Sequence, residues 1–88
     1  GKNTLNKRKH RISFEEALTV FADDNALLLP DPEHSIREDR FILMGFSASL
    51  RMLVVCHCYR RSEEVIRIIS ARKATRLERA DYTKRWKK

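Results

Sequence analysis

Residues 65–82 read Val65-Ile66-Arg67-Ile68-Ile69-Ser70-Ala71-Arg72-Lys73-Ala74-Thr75-Arg76-Leu77-Glu78-Arg79-Ala80-Asp81-Tyr82, and this stretch decides the fold. Its first half is a β-branched run of the kind that forms a buried strand. Its second half changes to helical spacing, and Thr75-Arg76-Leu77-Glu78 has the form of a capping box that starts a helix. Arginines run through both halves. A strand that builds core and leads directly into a cationic helix is a compact place to hold a polyanion.

Working back from there, Arg40 to Phe46 and Met52 to Tyr59 read as two further strands. Short loops at Ser47-Ala48-Ser49 and at Arg60 to Glu64 separate them from each other and from the strand at Val65 to Ala71. Connections this short require antiparallel neighbours, because a parallel pair needs a crossover of roughly a dozen residues or more. Ala26 to Leu29 is a short apolar run closed by Pro30-Asp31-Pro32, which suits an edge strand. Residues 33–39 form a polar loop. Upstream, Ser13-Phe14-Glu15-Glu16 is another capping box, followed by an apolar stripe of Phe14, Ala17, Leu18 and Phe21. That helix should stop near Asp23-Asp24-Asn25. Asn3 to Lys9 is a polar segment suited to a brief helix. The final helix carries Leu77, Tyr82 and Trp86.

The expected architecture is therefore one α+β domain over residues 1–88. A basic N-terminal segment (1–12) precedes a helix (13–23), a four-stranded antiparallel sheet with a meander core (26–72) and a C-terminal helix (75–87). Eighty-eight residues support one core and not two. Gly1 in place of Met points to a trimmed start. There are no internal repeats and no low-complexity tracts.

Charge is unevenly spread. The net +7 divides into a basic head, an acidic middle and a basic C-terminal end. Basic ends of this density suggest RNA, DNA or an acidic protein as partner; solubility alone is the plainer alternative. No apolar run approaches the ~20 residues that span a bilayer, and no signal peptide is visible. Cys56 and Cys58 are poorly placed to bridge each other and read as reduced core residues of a cytoplasmic protein.

Strand alternation gives a prediction of register. If Tyr59 pairs with Val65, His57 lies opposite Arg67 and Cys56 opposite Ile68. One face then becomes almost wholly apolar and packs on a helix, while His57, Arg67 and Tyr59 gather on an open face. A shift of one residue sets Arg67 beside Cys58, leaving a charge among apolar groups. The segregated register is the expected one.

The order Asn6-x-x-Lys9-His10-x-Ile12-Ser13-Phe14-Glu15-Glu16-Ala17, then Val20-Phe21-x-Asp23, Arg40-Phe41, Arg67-Ile68-Ile69-Ser70-Ala71-Arg72-x-Ala74, Glu78 and Tyr82 resembles the BrnT family, from about residue 3 to residue 82. The resemblance implies a RelE-like fold and an RNA-cleaving toxin that halts translation. It also implies a BrnA-type antitoxin with a ribbon-helix-helix DNA-binding domain, in a two-plus-two complex that reaches operator DNA through the antitoxin. Three departures stand out. Arg11 occupies the usual Gly position after His10, at an expected left-handed helix end. The hairpin at Ser47 to Leu50 lacks the usual glycine. A short upstream segment with a Trp-Asp pair is absent.

RNA cleavage without a metal needs a base for the 2′-hydroxyl proton, an acid for the leaving 5′-oxygen and cations for the phosphate. RelE-like enzymes lean on Arg, Lys and Tyr for this. The expected catalytic set is Arg67, Arg72, His57, Arg76 and Tyr82, with Arg72 suited to bidentate phosphate binding. Lys9, His10, Arg60, Lys73 and Arg79 are the expected RNA contacts. No cofactor is expected. Asp31, Glu33 and His34 cluster in a loop, but no second His or Cys falls at ligand spacing, so no metal site is expected. No nucleophile elbow of a Ser-His-Asp hydrolase is present. A non-catalytic nucleic-acid module and an acidic-partner module remain as rivals.

Overall fold

The computed structural model describes residues 1–35, 38–60 and 65–86, with Trp86 described as backbone only. Residues 36–37 and 61–64 of the expected loops, the Trp86 side chain expected on the final helix and the expected helix end at residue 87 lie outside what is described. The chain runs α1 (Lys2–His10), α2 (Phe14–Thr19) with a 3-10 turn (Val20–Ala22), β1 (Leu27–Pro30), a 3-10 turn (Pro32–His34), β2 (Arg40–Phe46), β3 (Met52–Arg60), β4 (Val65–Lys73) and α3 (Arg76–Trp86). The strands form one antiparallel sheet in the order β1-β2-β3-β4. This is the expected α+β meander, with β1 at one edge and β4 at the other.

One side of the sheet carries the main core. Leu43, Leu53, Val55, Ile68 and Ala71 pack there against Ile12, Ala17 and Val20 from the N-terminal segments. Full burial of side chains such as Leu53 and Val55 stabilises the fold by roughly 1.5–3 kcal/mol each. Ser13 caps α2 as its motif predicts, its hydroxyl accepting from the Glu16 N–H at 3.0 Å. The Glu16 carboxylate does not reach back to Ser13. It accepts instead from Arg51 Nε at 2.9 Å and from the Ser47 hydroxyl at 2.6 Å, tying α2 to the β2–β3 hairpin. After Thr19 the helix tightens to 3-10 geometry. Val20 is thereby buried, while Leu18, expected on the apolar stripe, faces solvent.

The predicted β3–β4 register is overturned. Tyr59 pairs with Ile66, Cys58 with Arg67 and His57 with Ile68; beyond a bulge at Ile69, Cys56 pairs with Ser70 and Val54 with Arg72. The penalty that disfavoured Arg67 beside Cys58 does not arise. Glu38 lies 3.5 Å from the Arg67 guanidinium, whose side chain stays one-third exposed. His57, expected on an open face, is fully buried. Phe21, Phe41 and Tyr59 surround its ring at centroid distances of 4.8, 6.0 and 5.2 Å.

Asn6 docks α1 on the free edge of β4. Its side-chain amide donates to the carbonyls of Ile12 and Ala71 at 2.8 Å each, and its oxygen accepts from the Ala71 N–H at 3.0 Å. The amide thus acts as a one-residue strand just past the bulge. On the other side of the sheet Tyr82 of α3 packs on Met44, Met52 and Val54, and its hydroxyl donates to Asp23 at 2.9 Å. Asp23 also accepts from the Phe46 N–H at 2.8 Å and the Asn25 N–H at 2.9 Å. A Cβ on Gly45 would lie 2.8 Å from the Asp23 carboxylate and 2.9 Å from Ala26 Cβ, so the absence of a side chain at Gly45 permits this junction. Thr75 and Glu78 complete the α3 capping box in both directions, at 2.8 and 3.2 Å.

Arg11, which stands at the usual Gly position, and Leu50, in the hairpin that lacks a glycine, both take positive φ, at 59° and 61°. Arg11 still closes α1, its N–H donating to Lys7 at 2.8 Å, at the steric cost of a side chain in left-handed backbone.

Three outcomes are expected. Urea denaturation of Asn6→Ala should show a loss of about 2–4 kcal/mol, because buried partners lose their hydrogen bonds; a loss below about 1 kcal/mol contradicts the docking role. Leu50→Gly removes a highly exposed side chain and should raise stability by about 0.5–1 kcal/mol. The third concerns pH. The Arg72 hydrogen bonds lead the effects that hold the Glu78 carboxyl down at about 2, against an ordinary 4.5, with burial opposing them. A depressed carboxyl contributes stability above its unfolded pKa and loses it as pH falls through the folded value. Stability should therefore fall between pH 4.5 and about 2, and Glu78→Gln should flatten that slope in acid-unfolding curves.

Candidate functional site

The second face of the sheet is only partly covered. α3 seals the end formed by Met44, Met52 and Val54. The remainder is an open cleft of about 340 Å³, whose walls include Asp31, His34, Arg40, Ile42, Cys56, Ser70 and Arg72. Arg40 comes from β2, opposite Cys58, and Ile42 lies opposite Cys56. Arg67 and Arg72 come from β4. Five residues apart, they would project to opposite faces of a regular strand. The bulge at Ile69 adds the residue that corrects this. Ile68 and Ala71 then both point into the core, and Arg67, Ser70 and Arg72 share the cleft face.

The cations on this face are held by acids from neighbouring elements. Arg72 donates from Nη1 and Nη2 to the two oxygens of Glu78 at 2.7 and 2.8 Å. This bidentate fork fixes the guanidinium plane and leaves its Nε–H outside the fork. Glu38 lies between Arg67 and Arg40, at 3.5 and 3.7 Å, and receives the Cys58 thiol at 3.7 Å. The Nε–H of Arg40 is buried without an acceptor among the described residues. On the opposite wall His34 Nδ1 lies 2.9 and 3.1 Å from the two Asp31 oxygens. Burial pushes the Cys56 thiol up, with nearby Asp31 adding to the effect. An anion that entered this cleft would meet the Arg40 and Arg72 guanidinium groups and the His34 imidazole.

The sequence-predicted residues divide by location. Arg67 and Arg72 share the cleft face. His57 lies beneath the opposite face, where burial lowers its pKa against the opposing effect of the Val55 carbonyl. It is a core imidazole, out of reach of any phosphate in the cleft. Tyr82 is a buried support for α3, its pKa pushed up to about 12 by burial and then by Asp23. Arg76 and Arg79 line a separate shallow groove along α3 with Ala80, Thr83 and Lys84. Arg60 and Lys73 are exposed at the ends of β3 and β4. Lys9 and His10 line a groove of about 240 Å³ between α1 and the β4 edge. Ile69 and Ser70 belong to both this groove and the cleft.

Sequence reasoning missed Arg40 and Glu38 as parts of the site, and weighed Asp31 and His34 only as metal ligands. Their spacing held a usable signal, since i and i+3 positions on one helical turn meet. Among the described residues no cluster of three or more His, Cys, Asp or Glu side chains is placed to hold a metal ion. No helix among them is long and apolar enough to cross a membrane.

No curated protein matches the chain closely. The family model described as "Ribonuclease toxin, BrnT, of type II toxin-antitoxin system" matches residues 1–78. The match takes in the bulged strand, the cleft arginines and Glu78. The chain belongs to the BrnT family of ribonuclease toxins of type II toxin–antitoxin systems.

Proposed function

We propose that the chain is a RelE-like, metal-independent endoribonuclease whose cleft binds the scissile phosphate of single-stranded RNA. In this reading the 2′-oxygen attacks phosphorus, and Arg40, Arg67 and Arg72 stabilise the charge that gathers on the phosphate oxygens. The observation that carries it is the gathering of these three arginines on one open sheet face. The Arg40 Nε–H, buried without an acceptor among the described residues, is a donor that a phosphate oxygen would satisfy once the guanidinium turns into the cleft. The Glu78 fork holds Arg72 in place before substrate arrives, which lowers the reorganisation needed in the reaction.

The groove at Lys9 and His10 meets the cleft at Ile69 and Ser70, which supports a path for RNA over the β4 edge. Arg60, Lys73, Arg76 and Arg79 add flanking positive potential that draws in a polyanion. The reaction would occur in the cytoplasm and stop translation by destroying messenger RNA. A BrnA-type antitoxin, carrying a ribbon-helix-helix domain in a two-plus-two complex, would neutralise the toxin and make the operator contacts. The net charge of +7 suits an acidic antitoxin segment lying over the same cationic face.

Purified protein incubated with RNA in excess EDTA should yield fragments ending in 2′,3′-cyclic phosphate and 5′-hydroxyl. Arg67→Ala should lower the cleavage rate by about 100-fold or more, the usual scale for losing one charge-stabilising donor. Arg72→Lys keeps the charge but loses the fork, and should also slow the reaction. RNA binding without cleavage would favour a non-catalytic module. Cleavage that survives both substitutions would place the site elsewhere.

A further inference from the structure

We infer that His34, oriented by Asp31, is the general base that takes the 2′-hydroxyl proton. This rests on the ribonuclease reading above and supplies the acid–base group which that reading leaves open once His57 is in the core.

The geometry begins with the backbone. Pro30 and Pro32 flank Asp31, which caps the 3-10 turn Pro32–His34. The Asp31 N–H donates to the Arg40 carbonyl at 2.9 Å, extending the β1–β2 ladder. The Ser35 hydroxyl donates to the Asp31 carbonyl at 2.6 Å and accepts from the Arg40 N–H at 3.0 Å. The turn is therefore tied to the same residue, Arg40, that supplies a cleft guanidinium. Two prolines limit its backbone freedom further.

The side chains follow from this frame. The Asp31 side chain is 14% exposed, whereas that of His34 is 62% exposed, so the carboxylate is sheltered and the imidazole is accessible. An ionised carboxylate only accepts hydrogen bonds, so the neutral ring must carry its proton on Nδ1. Nε2 then bears the lone pair, as required of a base. His34 and Asp31 share the cleft with Arg40 and Arg72, so base and phosphate-binding cations line one space. Histidine is the side chain best suited to exchange a proton near neutral pH.

The step balances. Nε2 of His34 takes the proton as the 2′-oxygen forms its bond to phosphorus and the bond from phosphorus to the 5′-oxygen breaks. The 5′-oxygen takes a proton from water. Asp31 stabilises the imidazolium that results, and the ring later returns its proton to solvent. Nothing is oxidised or reduced. Asp31 acts through His34 and is a positioning residue.

The test is single-turnover cleavage of a short RNA by the full chain. His34→Ala and His34→Gln should each lower the rate by about 100-fold or more, the range for loss of a general base. RNA affinity and thermal stability should stay unchanged, since the side chain is mostly exposed. Free imidazole should restore much of the His34→Ala rate and none of the loss in Arg67→Ala. Asp31→Asn should lower kcat and leave KM unchanged. A substrate with a bridging 5′-sulfur, which leaves without a proton, should still show the His34→Ala defect. A His34→Ala rate within about three-fold of wild type, failure of imidazole rescue, or loss of the defect on the sulfur substrate each overturns the assignment of His34 as base. Absence of cleavage by the wild-type chain overturns the ribonuclease reading itself, which is a separate result.

Discussion

One side chain in the core, Asn6, holds β4 just past the bulge that sets where the cleft arginines point. β4 is an edge strand, so Ala71 has no neighbouring strand on one side to receive its N–H and carbonyl. Asn6 supplies both partners from α1 and ties them to the Ile12 carbonyl. Ala71 is thereby held inward, fully buried, one residue past the point where β4 changes phase. The bulge at Ile69 does the rest: Ile68 and Ala71 both face the core, although three residues separate them. The same phase change puts Arg67 and Arg72 on one face. Core packing and the candidate functional surface are thus two consequences of one irregularity.

Much of the architecture was legible because each signal was local. The two capping boxes mark helix starts at Ser13 and Thr75, and a serine or threonine hydroxyl meets the backbone N–H three residues on in both. Pro30 ends an edge strand, and short loops impose antiparallel order. The register was not legible, for two physical reasons. Strand alternation alone leaves Arg67 unpaired, but Glu38, nearly thirty residues earlier in sequence, compensates its charge. Alternation along β4 is also uneven, and a bulge built on isoleucine carries no glycine to announce it. The same two features put His57 on the opposite face from the one expected. The side chain is tolerated in the core because aromatic rings enclose it, with Val55 O and Tyr59 Oη each 3.3 Å from a ring nitrogen. The candidate cleft was only partly legible. Arginine content pointed to a polyanion, but Arg40 and His34 reach the cleft only through tertiary folding.

The cleft also shows how a small cluster of cations is kept ordered by its neighbours. Several arginines on one face repel one another, and an isolated cluster would splay. Glu78 and Glu38 sit between or behind them, so the cations are paired while their charge still reaches the cleft. α3 serves this arrangement. Its first turn provides Glu78, and its later turn provides Tyr82, which locks the helix to Asp23 and the Met44–Met52–Val54 patch. Gly45 leaves the room that the Asp23 junction occupies. A helix that reads as cationic surface is in this respect a brace for the sheet.

The most direct measurement is NMR of the guanidinium Nε–H groups as the chain binds an RNA carrying a 2′-deoxy substitution at the cleavage position. Such an RNA occupies the site without reacting. Large shifts are expected at Arg40, Arg67 and Arg72, with the buried His57 and Tyr82 unaffected. Shifts confined to Arg76 and Arg79 on α3, with the cleft arginines unchanged, would contradict that expectation.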